Sequence, residues 1–348
     1  MTVFNFDWIK KLFRDRELDA EAAGKTYSFK PLPHVSFYGP AIWAVGGGKG
    51  GVGKSLIASN LGILLAKQGK DVLLVDADLG AANLHTFLGV DGGRLALSSF
   101  LKEEVSDIRS LVVKTSVPGL DLISGAKDSL DIADISTAKV ARLKEALRNL
   151  EYDNIILDIG PGTSSNLLDI FLMASEGIIL STPEPTAIEN NYRYLKCLFL
   201  RKIKTVADQQ EDGQLKDMLQ RIFSEKWTQR VKTVSDILGS LEQLDSSQGS
   251  MLREYIGATN ISMIVNQARR PEDGEIGNSI RRACSDYFGV NICYLGSIGY
   301  EESVAESIRL RRPLLVHYPE TRAARSIESC LNEILKKGVS REPAGALQ

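Results

Sequence analysis

Short apolar runs alternate with helical patterns over residues 41–200, and the same rhythm returns over residues 258–337. The runs are apolar throughout instead of alternating, which is typical of strands buried on both faces of a parallel sheet. Strands that alternate with helices predict βαβ units. The predicted strands are AIWAV (41–45), DVLLVDAD (71–78), LDLIS (120–124), NIILDIG (154–160), GIILST (177–182), ISMIVN (261–266) and VNICYLG (290–296).

Helical periodicity fills the intervals between these strands. Residues 201–257 break the rhythm, because they carry helical patterns such as LKDMLQRIF without a strand-like run. The chain therefore predicts a doubly wound α/β fold, with a mostly parallel sheet flanked by helices and a helical insertion at about 201–257. One domain would cover 41–340, with an extension over 1–40 before it and a flexible tail over 338–348. The predicted helices cover 54–68, 137–150, 165–174, 275–288, 301–310 and 320–337.

The composition is that of a globular protein, with 43% hydrophobic and 25% charged residues. Lys and Arg number 42 and Asp and Glu 44, a formal net charge of −2. This balance excludes a strongly basic nucleic-acid binder but leaves room for a local basic patch. No apolar run is long enough to cross a bilayer. The first residues, MTVFNFDWIKKLFRDR, lack the uninterrupted apolar core of a secretory signal.

The four cysteines lie far apart, and none forms a C-x-x-C pair. This spacing argues against a zinc ribbon and against most iron–sulfur frameworks. Scattered thiols in a chain of this length indicate a reducing compartment. We therefore expect a cytoplasmic protein.

A glycine-rich loop follows the first predicted strand and precedes the first predicted helix. It fits G-x-x-x-x-G-K-[ST], the P-loop motif, in the strand–loop–helix context that the motif requires. Backbone N–H groups of such a loop surround phosphate oxygens, Lys54 reaches the β- and γ-phosphates, and the Ser55 hydroxyl ligates Mg²⁺. The predicted nucleotide-binding residues here are Gly48, Lys49, Gly50, Gly51, Val52, Gly53, Lys54 and Ser55.

Carboxylates end two further predicted strands. Asp76 and Asp78 close the strand 71–78, and Asp158 lies near the end of the strand 154–160. The carboxyl ends of parallel strands border the ligand crevice of open α/β sheets. An apolar strand that ends in Asp is typical of the Walker B position, whose carboxylate holds Mg²⁺. The sequence thus predicts Ser55 and Asp158 as ligands of Mg²⁺, with Asp76 and Asp78 at the same edge of the sheet.

The string GKGGVGKS (48–55) resembles the deviant Walker A loop of the MinD/ParA family of dimerising ATPases. The resemblance implies a P-loop NTPase fold of the SIMIBI type, ATP and Mg²⁺ as ligands, and an ATP-dependent homodimer. It implies that Lys49 crosses to the nucleotide of the partner subunit and, with Lys54, neutralises charge. Asp76-Ala77-Asp78-Leu79-Gly80 is similar to the family's switch I. By this likeness Asp78 orients the attacking water, and Asp76 supports Mg²⁺ and the P-loop lysine.

Softer similarities extend the resemblance. The segment 158–162 reads D-x-G-P-G, nearer the flagellar MinD-like branch (FlhG, also called FleN) than the D-x-P-A-G of MinD itself. The segment STPEPTAI (181–188) is similar to the same branch. The resemblance implies that the Gly162 N–H senses the γ-phosphate and that Asn266 reads the adenine edge. Gly299, Glu301 and Glu302 stand where the family has Pro and Asp, so its purine-loop contacts do not transfer.

By this resemblance the chain is a slow ATPase switch that controls the position or number of a cellular structure, either flagella or division machinery. An activating or cargo protein would be its partner. A ParA-like DNA-partitioning ATPase is an alternative, with Arg281-Arg282 and residues 309–312 as the candidate basic surface. A metal-centre or cofactor-maturation NTPase is another, although paired cysteines are lacking.

The N-terminal segment 4–14 combines bulky apolar and basic side chains. On a helix, one apolar face forms, with the basic residues largely off it, as in interfacial membrane helices. This composition predicts peripheral binding to the inner face of the cell membrane. A groove on a partner protein and docking on the chain's own domain remain alternatives. The face consists of Trp8, Ile9, Leu12 and Phe13, and the basic residues are Lys10, Lys11 and Arg14.

Overall fold

The computed structural model describes residues 39–93, 95–125, 136–209, 214–222 and 233–339. Within these ranges eight strands form one sheet. In chain order they are β1 (Ala41–Gly46), β2 (Val72–Ala77), β3 (Val112–Lys114), β4 (Leu120–Ile123), β5 (Asn154–Ile159), β6 (Glu176–Ser181), β7 (Ile261–Ala268) and β8 (Cys293–Gly299). The spatial order is β3-β4-β2-β5-β1-β6-β7-β8. All neighbours run parallel except β3, which pairs antiparallel with β4.

Helices cover both faces of this sheet, as the doubly wound prediction requires. They are α1 (Lys54–Lys67), α2 (Leu84–Leu88), α3 (Leu97–Leu101), α4 (Thr137–Arg148), α5 (Ser165–Leu172), α6 (Pro185–Gln209), α7 (Gln214–Ile222), α8 (Val234–Leu244), α9 (Ser246–Gly257), α10 (Glu275–Phe288), α11 (Glu302–Arg309), α12 (Leu314–His317) and α13 (Arg322–Val339). Two 3₁₀ turns occupy Ile108–Leu111 and Pro271–Gly274. None of the described helices is long and apolar enough to cross a lipid bilayer.

The central strand β1 divides its side chains between two cores. Ile42 and Ala44 enter a core shared with helices α4 to α10. Trp43 and Val45 enter the opposite core, which α1 and α13 close. Because successive strand residues point to opposite faces, a strand that is apolar at every position requires helices on both sides. Helix α1 is buried nearly all round, and its polar residues Lys54, Ser59 and Asn60 are buried together with its apolar ones.

The helices of the predicted insertion join the first of these cores. Helix α6 crosses residue 201 without a break, so the helical region begins inside it. Buried residues of α7, α8 and α9 pack in the same cluster as the sheet. Helix α8 begins with a capping box, in which Thr233 and Asp236 satisfy each other's backbone N–H groups. Among the described residues of 201–257, no strand occurs.

Three features differ from the pattern-based expectation. Strand β8 begins at Cys293 rather than 290, because the apolar residues Val290 and Ile292 are buried in the connection that precedes it. Strand β3 has only three residues, too few to show periodicity. Helix α13 continues to Val339, so the first two residues of the predicted tail are helical. The extension up to residue 38, with its predicted amphipathic helix, and residues 340–348 lie outside the described residues.

Candidate nucleotide-binding site

The P-loop connects the central strand β1 to the amino terminus of α1. Gly51 and Gly53 have positive φ angles of 76° and 97°, a region that glycine enters without steric cost. A Cβ on Gly53 would also lie only 2.3 Å from Asn266 Nδ2. Helix α1 has no acidic residue in its first turn, so the partial positive charge of its amino terminus is available to an anion. The loop therefore has the geometry of a phosphate cradle.

Lys54 lies within this loop and is buried. Its Nζ donates a hydrogen bond to the Lys49 carbonyl oxygen at 3.3 Å. Burial lowers the pKa of Lys54, whereas the charges of Asp158 and Asp78 raise it. The ammonium group thus sits between the loop and two carboxylates, where it can neutralise phosphate oxygens.

Asp158 is a buried carboxylate whose oxygens have no hydrogen-bond partner among the described residues. It lies on β5 in register with Asp76 on β2. Burial, and then the charge of Asp76, raises the pKa of Asp158 to about 8, while the nearby Ser55 hydroxyl and the Lys54 charge partly offset this rise. The Ser55 hydroxyl lies near the carboxylate but outside the geometry of a formed hydrogen bond. A buried carboxylate with unused oxygens fits the binding of a cation.

The donor set fits Mg²⁺ in particular. The described residues contain no group of three or more His, Cys, Asp or Glu side chains that could enclose a metal ion. Mg²⁺ usually binds through one or two carboxylates, substrate phosphates and several waters rather than through an all-protein cage. Asp158 and the Ser55 hydroxyl on the first turn of α1 supply this kind of incomplete site.

Asp76 uses its oxygens differently. Its Oδ2 accepts backbone N–H bonds from Asn83 at 2.8 Å and Leu84 at 3.0 Å, and its Oδ1 accepts one from Asp78 at 3.2 Å. Burial raises the pKa of Asp76 to about 7, although these backbone bonds lower it. Asp76 therefore fixes the segment that leads from β2 into α2. Its predicted support of Mg²⁺ stays a prediction.

Asp78 lies at the start of this segment, directly after β2, and is half-buried. It is close to Gly160 after β5, and its charge acts on Lys54. Its Oδ1 accepts N–H bonds from Gly80 at 3.3 Å and Ala81 at 3.1 Å. A Cβ on Gly160 would lie 2.9 Å from the same Oδ1. The glycine of the D-x-G-P-G segment thus leaves room for the Asp78 carboxylate. Gly162, two residues further on, has φ of 120°, a conformation that favours glycine.

Lys49 extends from the loop toward α6. Its Nζ donates to Thr186 Oγ1 at 3.0 Å in an exposed hydrogen bond. Two residues that sequence reasoning missed lie on the same helix: Asn190, whose carbonyl oxygen faces Gly48, and Asn191, whose Oδ1 accepts the Gly48 N–H at 2.9 Å. The only signal in the sequence is an Asn-Asn pair early in a long amphipathic helix.

Asn266 contacts the P-loop from the opposite side. It is buried, and its Nδ2 donates to the Val52 carbonyl oxygen at 2.8 Å. The next residue, Gln267, has φ of 59° and donates to the Gly51 carbonyl oxygen at 3.1 Å. An irregularity in the β7–β8 register between Val265 and Ala268 permits this turn. The structure places the Asn266 side chain in contact with the P-loop, and its role toward adenine remains a prediction.

A P-loop, a Walker B carboxylate and a doubly wound parallel sheet together define the class of P-loop nucleotide-binding proteins. The sequence matches the CbiA family, described as the CobQ/CobB/MinD/ParA nucleotide binding domain, over residues 43–314. The chain belongs to this family. The expected MinD/ParA-type P-loop fold is confirmed.

Relatives with a role in flagellation or cell division resemble the chain. The antiactivator FleN of Pseudomonas aeruginosa is 22% identical over 310 residues, which cover 88% of this chain and 90% of FleN. The flagellum site-determining protein YlxH of Helicobacter pylori is 31% identical over 225 residues, 61% of this chain and 71% of YlxH. Among solved structures, the septum site-determining protein MinD of Pyrococcus horikoshii, complexed with Mg-ADP, has a TM-score of 0.59 at 20% identity. That match covers 87% of this chain and 99% of the MinD chain, and it shows the fold.

Proposed function

We propose that this chain is an ATP-hydrolysing switch that dimerises with ATP bound and controls the position or number of flagella or of the division machinery. The observation that carries this proposal is the pair of lysines in one P-loop. Lys54 is buried among the carboxylates, whereas the ammonium group of Lys49 donates an exposed hydrogen bond to Thr186. A lysine held so loosely at the rim is free to reach a second subunit.

ATP with Mg²⁺ is the proposed ligand pair. The name of the P. horikoshii relative, with its bound Mg-ADP, supports this choice. Ser55 and Asp158 would hold the metal. When bound, Mg²⁺ neutralises charge on the β- and γ-phosphate oxygens.

Hydrolysis then requires a water placed in line with the γ-phosphate. Asp78 accepts a hydrogen bond from this water, whose oxygen forms a bond to the γ-phosphorus while the bond from γ-phosphorus to the bridging oxygen breaks. The products are ADP and inorganic phosphate, and the proton of the water leaves with them. Lys54 stabilises the charge on the phosphate oxygens, and the Gly162 N–H responds to the presence of the γ-phosphate.

Dimerisation is supported by the surface around the site. Small residues of the P-loop and of the segment after β2 are exposed there: Gly50, Gly51, Gly80 and Ala81. Small side chains permit a second subunit to approach closely. Across such an interface Lys49 would leave Thr186 and neutralise the nucleotide of the partner.

The proposal predicts distinct defects for two variants. Lys54→Ala should abolish binding of a fluorescent ATP analogue, because the buried cation is lost. Asp78→Ala should bind ATP and remain a dimer, because the water is no longer oriented. ATPase assays and light scattering with ATP measure both effects. Hydrolysis at the wild-type rate by Asp78→Ala would refute its assignment, and a wild type that neither hydrolyses ATP nor dimerises would refute the proposal.

The regulated structure is proposed from the relatives. The name of YlxH, a flagellum site-determining protein, supports flagella, and that of MinD, a septum site-determining protein, supports division. The membrane prediction falls on residues 4–14, outside the described part of the chain. Deleting residues 2–16 should strip the protein from anionic liposomes while sparing ATPase activity, and unchanged co-sedimentation would exclude this segment as the anchor.

A DNA-partitioning function is the second candidate, favoured by three exposed arginines. Arg309, Arg311 and Arg312 form no ion pair with a carboxylate among the described residues. ATP-dependent binding to nonspecific duplex DNA, with a steep loss at higher salt, would support it. Absence of such binding would exclude the DNA-partitioning function and leave the positioning function as the remaining candidate.

A further inference from the structure

Helix α6 contacts the P-loop at the start of the loop, ahead of the residues that form the phosphate cradle. Asn191 lies at this junction and is 1% exposed. Its Oδ1 accepts the Gly48 N–H at 2.9 Å, and its Nδ2 donates to the Leu180 carbonyl oxygen at 2.8 Å. One side chain thus joins the loop, the end of β6 and the helix.

The helix and the loop are too close to admit side chains between them. A Cβ on Gly48 would lie 2.2 Å from the Asn190 carbonyl oxygen. A Cβ on Gly47 would lie 3.2 Å from Asn191 Oδ1, and Gly47 has φ of 152°. This segment of the loop therefore rests directly on α6, and Asn191 holds it there.

Lys49 follows directly after the anchored Gly48. Its tip returns to the same helix, at Thr186 Oγ1, five residues before Asn191. The two contacts differ in kind, because the Asn191 contact is part-buried and made by a side chain that is itself buried, whereas the Thr186 contact is exposed. Exposed hydrogen bonds exchange readily with water, whereas a buried donor and acceptor are costly to leave unpaired.

We propose that Asn191 is a positioning residue for Lys49. It fixes the backbone from which Lys49 departs, so that the lysine can exchange Thr186 for the nucleotide of a second subunit while the loop stays in place. The Gly48 N–H is bonded to Asn191 rather than open to a phosphate oxygen, which differs from the sequence-based expectation for Gly48, so the later N–H groups of the loop would form the phosphate cradle. This inference rests on the proposed ATP-dependent dimer.

The test compares Asn191→Ala with a matched control, Asn60→Ala. Asn60 is also 1% exposed and also makes two hydrogen bonds, from Nδ2 to the Leu56 carbonyl oxygen and from the Leu315 N–H to Oδ1. It joins α1 to α12, away from the loop. Both variants remove two hydrogen bonds made by a buried side chain, so both should lower the melting temperature by a similar amount.

Only Asn191→Ala should impair the switch. We expect its kcat for ATP and its ATP-dependent dimerisation to fall about 10- to 100-fold, since a small displacement of a positioned group has effects of this size. Binding of a fluorescent ATP analogue should stay close to wild type in both variants. Asn191→Leu, which removes both hydrogen bonds at a similar volume, replaces Asn191→Ala if that variant does not fold. Asn191→Asp keeps the acceptor for the Gly48 N–H and loses only the donor to Leu180, so its kcat and dimerisation should stay closer to wild type.

The outcomes separate this inference from the function on which it rests. If Asn191→Ala and Asn60→Ala reduce kcat and dimerisation equally, or not at all, Asn191 has only a structural role and the inference is overturned. That result leaves the proposed function standing, since the wild type still dimerises and hydrolyses ATP. A wild type that does neither overturns both.

Discussion

Asp76 and Asp158 show how hydrogen bonding distinguishes two buried carboxylates in register on neighbouring strands. Asp76 receives three backbone N–H groups, whereas Asp158 receives none. Folding raises the pKa of both groups. At these two carboxylates the folded protein without ligand therefore binds more protons than the unfolded chain from about pH 4 to 8. Their contribution to the free energy of unfolding consequently falls as the pH rises through this window. A bound cation would relieve this cost.

The position of Asp78 is testable through Gly160. Gly160→Ala places a methyl group 2.9 Å from Asp78 Oδ1, at a φ angle that alanine accepts. The carboxylate should move aside, so kcat should fall about 10- to 100-fold while the unfolding free energy changes by less than about 1 kcal/mol. ATPase assays and thermal denaturation measure the two effects.

Gly239→Ala is the matched control for this substitution. Gly239 lies inside α8, and a methyl group on it would point into open space. The change should therefore spare kcat and stabilise the helix by about 0.5–1 kcal/mol. Wild-type kcat in Gly160→Ala would contradict the placement of Asp78 as the residue that orients water.

Short sequence motifs reveal some residues of the site but not others. Lys54, Ser55 and Asp158 are predictable, because their chemistry depends on short spacings next to strand ends. Asn191 is not, since its partner Gly48 lies 143 positions away in the sequence. Only the packing of α6 on the loop brings the two together.

At the scale of elements, α6 connects the site to the helical region. It spans 25 residues, with Thr186 and Asn191 against the P-loop and Lys202 near its other end. Arg201 forms a two-pronged ion pair with Asp169 of α5, at 2.7 and 2.6 Å. Sequence periodicity predicts helices on both sides of residue 201 but not that one helix is continuous through it.

The junction of α6 with α9 contains a half-buried cation. Lys202 donates to the Tyr255 carbonyl oxygen and the Thr259 hydroxyl, and burial lowers its pKa to about 8. The folded protein therefore binds fewer protons than the unfolded chain above about pH 8. Below that pH, burial of the charged ammonium group lowers the free energy of unfolding in full. The free energy of unfolding then recovers as the pH rises through about 8 and Lys202 loses its proton.

This effect predicts a difference between wild type and Lys202→Met. The melting temperature of the wild type should rise relative to that of the variant between about pH 7 and 9.5. Comparison with the variant cancels the titration of other groups. A constant difference across this range would show that the ammonium group is not desolvated at the junction.

At the scale of the whole molecule, the sheet order brings the site together. Strand β1 lies between β5 and β6, and β2 lies beyond β5, so the P-loop, Asp158 and Asp78 meet at one edge. The βαβ rhythm predicts a doubly wound parallel sheet. It could not predict the antiparallel strand β3 or the late start of β8, because both lie at the sheet edges, where burial imposes a weaker pattern.

The proposed switch depends on Lys49 acting on the nucleotide of a second subunit, and mixing two inactive variants tests this action. Lys49→Ala and Asp78→Ala should each hydrolyse ATP poorly alone. In a mixed dimer, the Lys49→Ala subunit keeps its own Asp78 and receives an intact Lys49 from its partner, so one complete site forms.

Equal mixing should restore up to about a quarter of wild-type ATPase activity, because half of the dimers are mixed and each has one complete site of two. ATP turnover is measured at a total protein concentration held constant. Recovery of activity on mixing is the predicted result. If the mixture is no more active than the two variants separately, Lys49 does not act on the nucleotide of the partner subunit, and the proposed switch mechanism is contradicted.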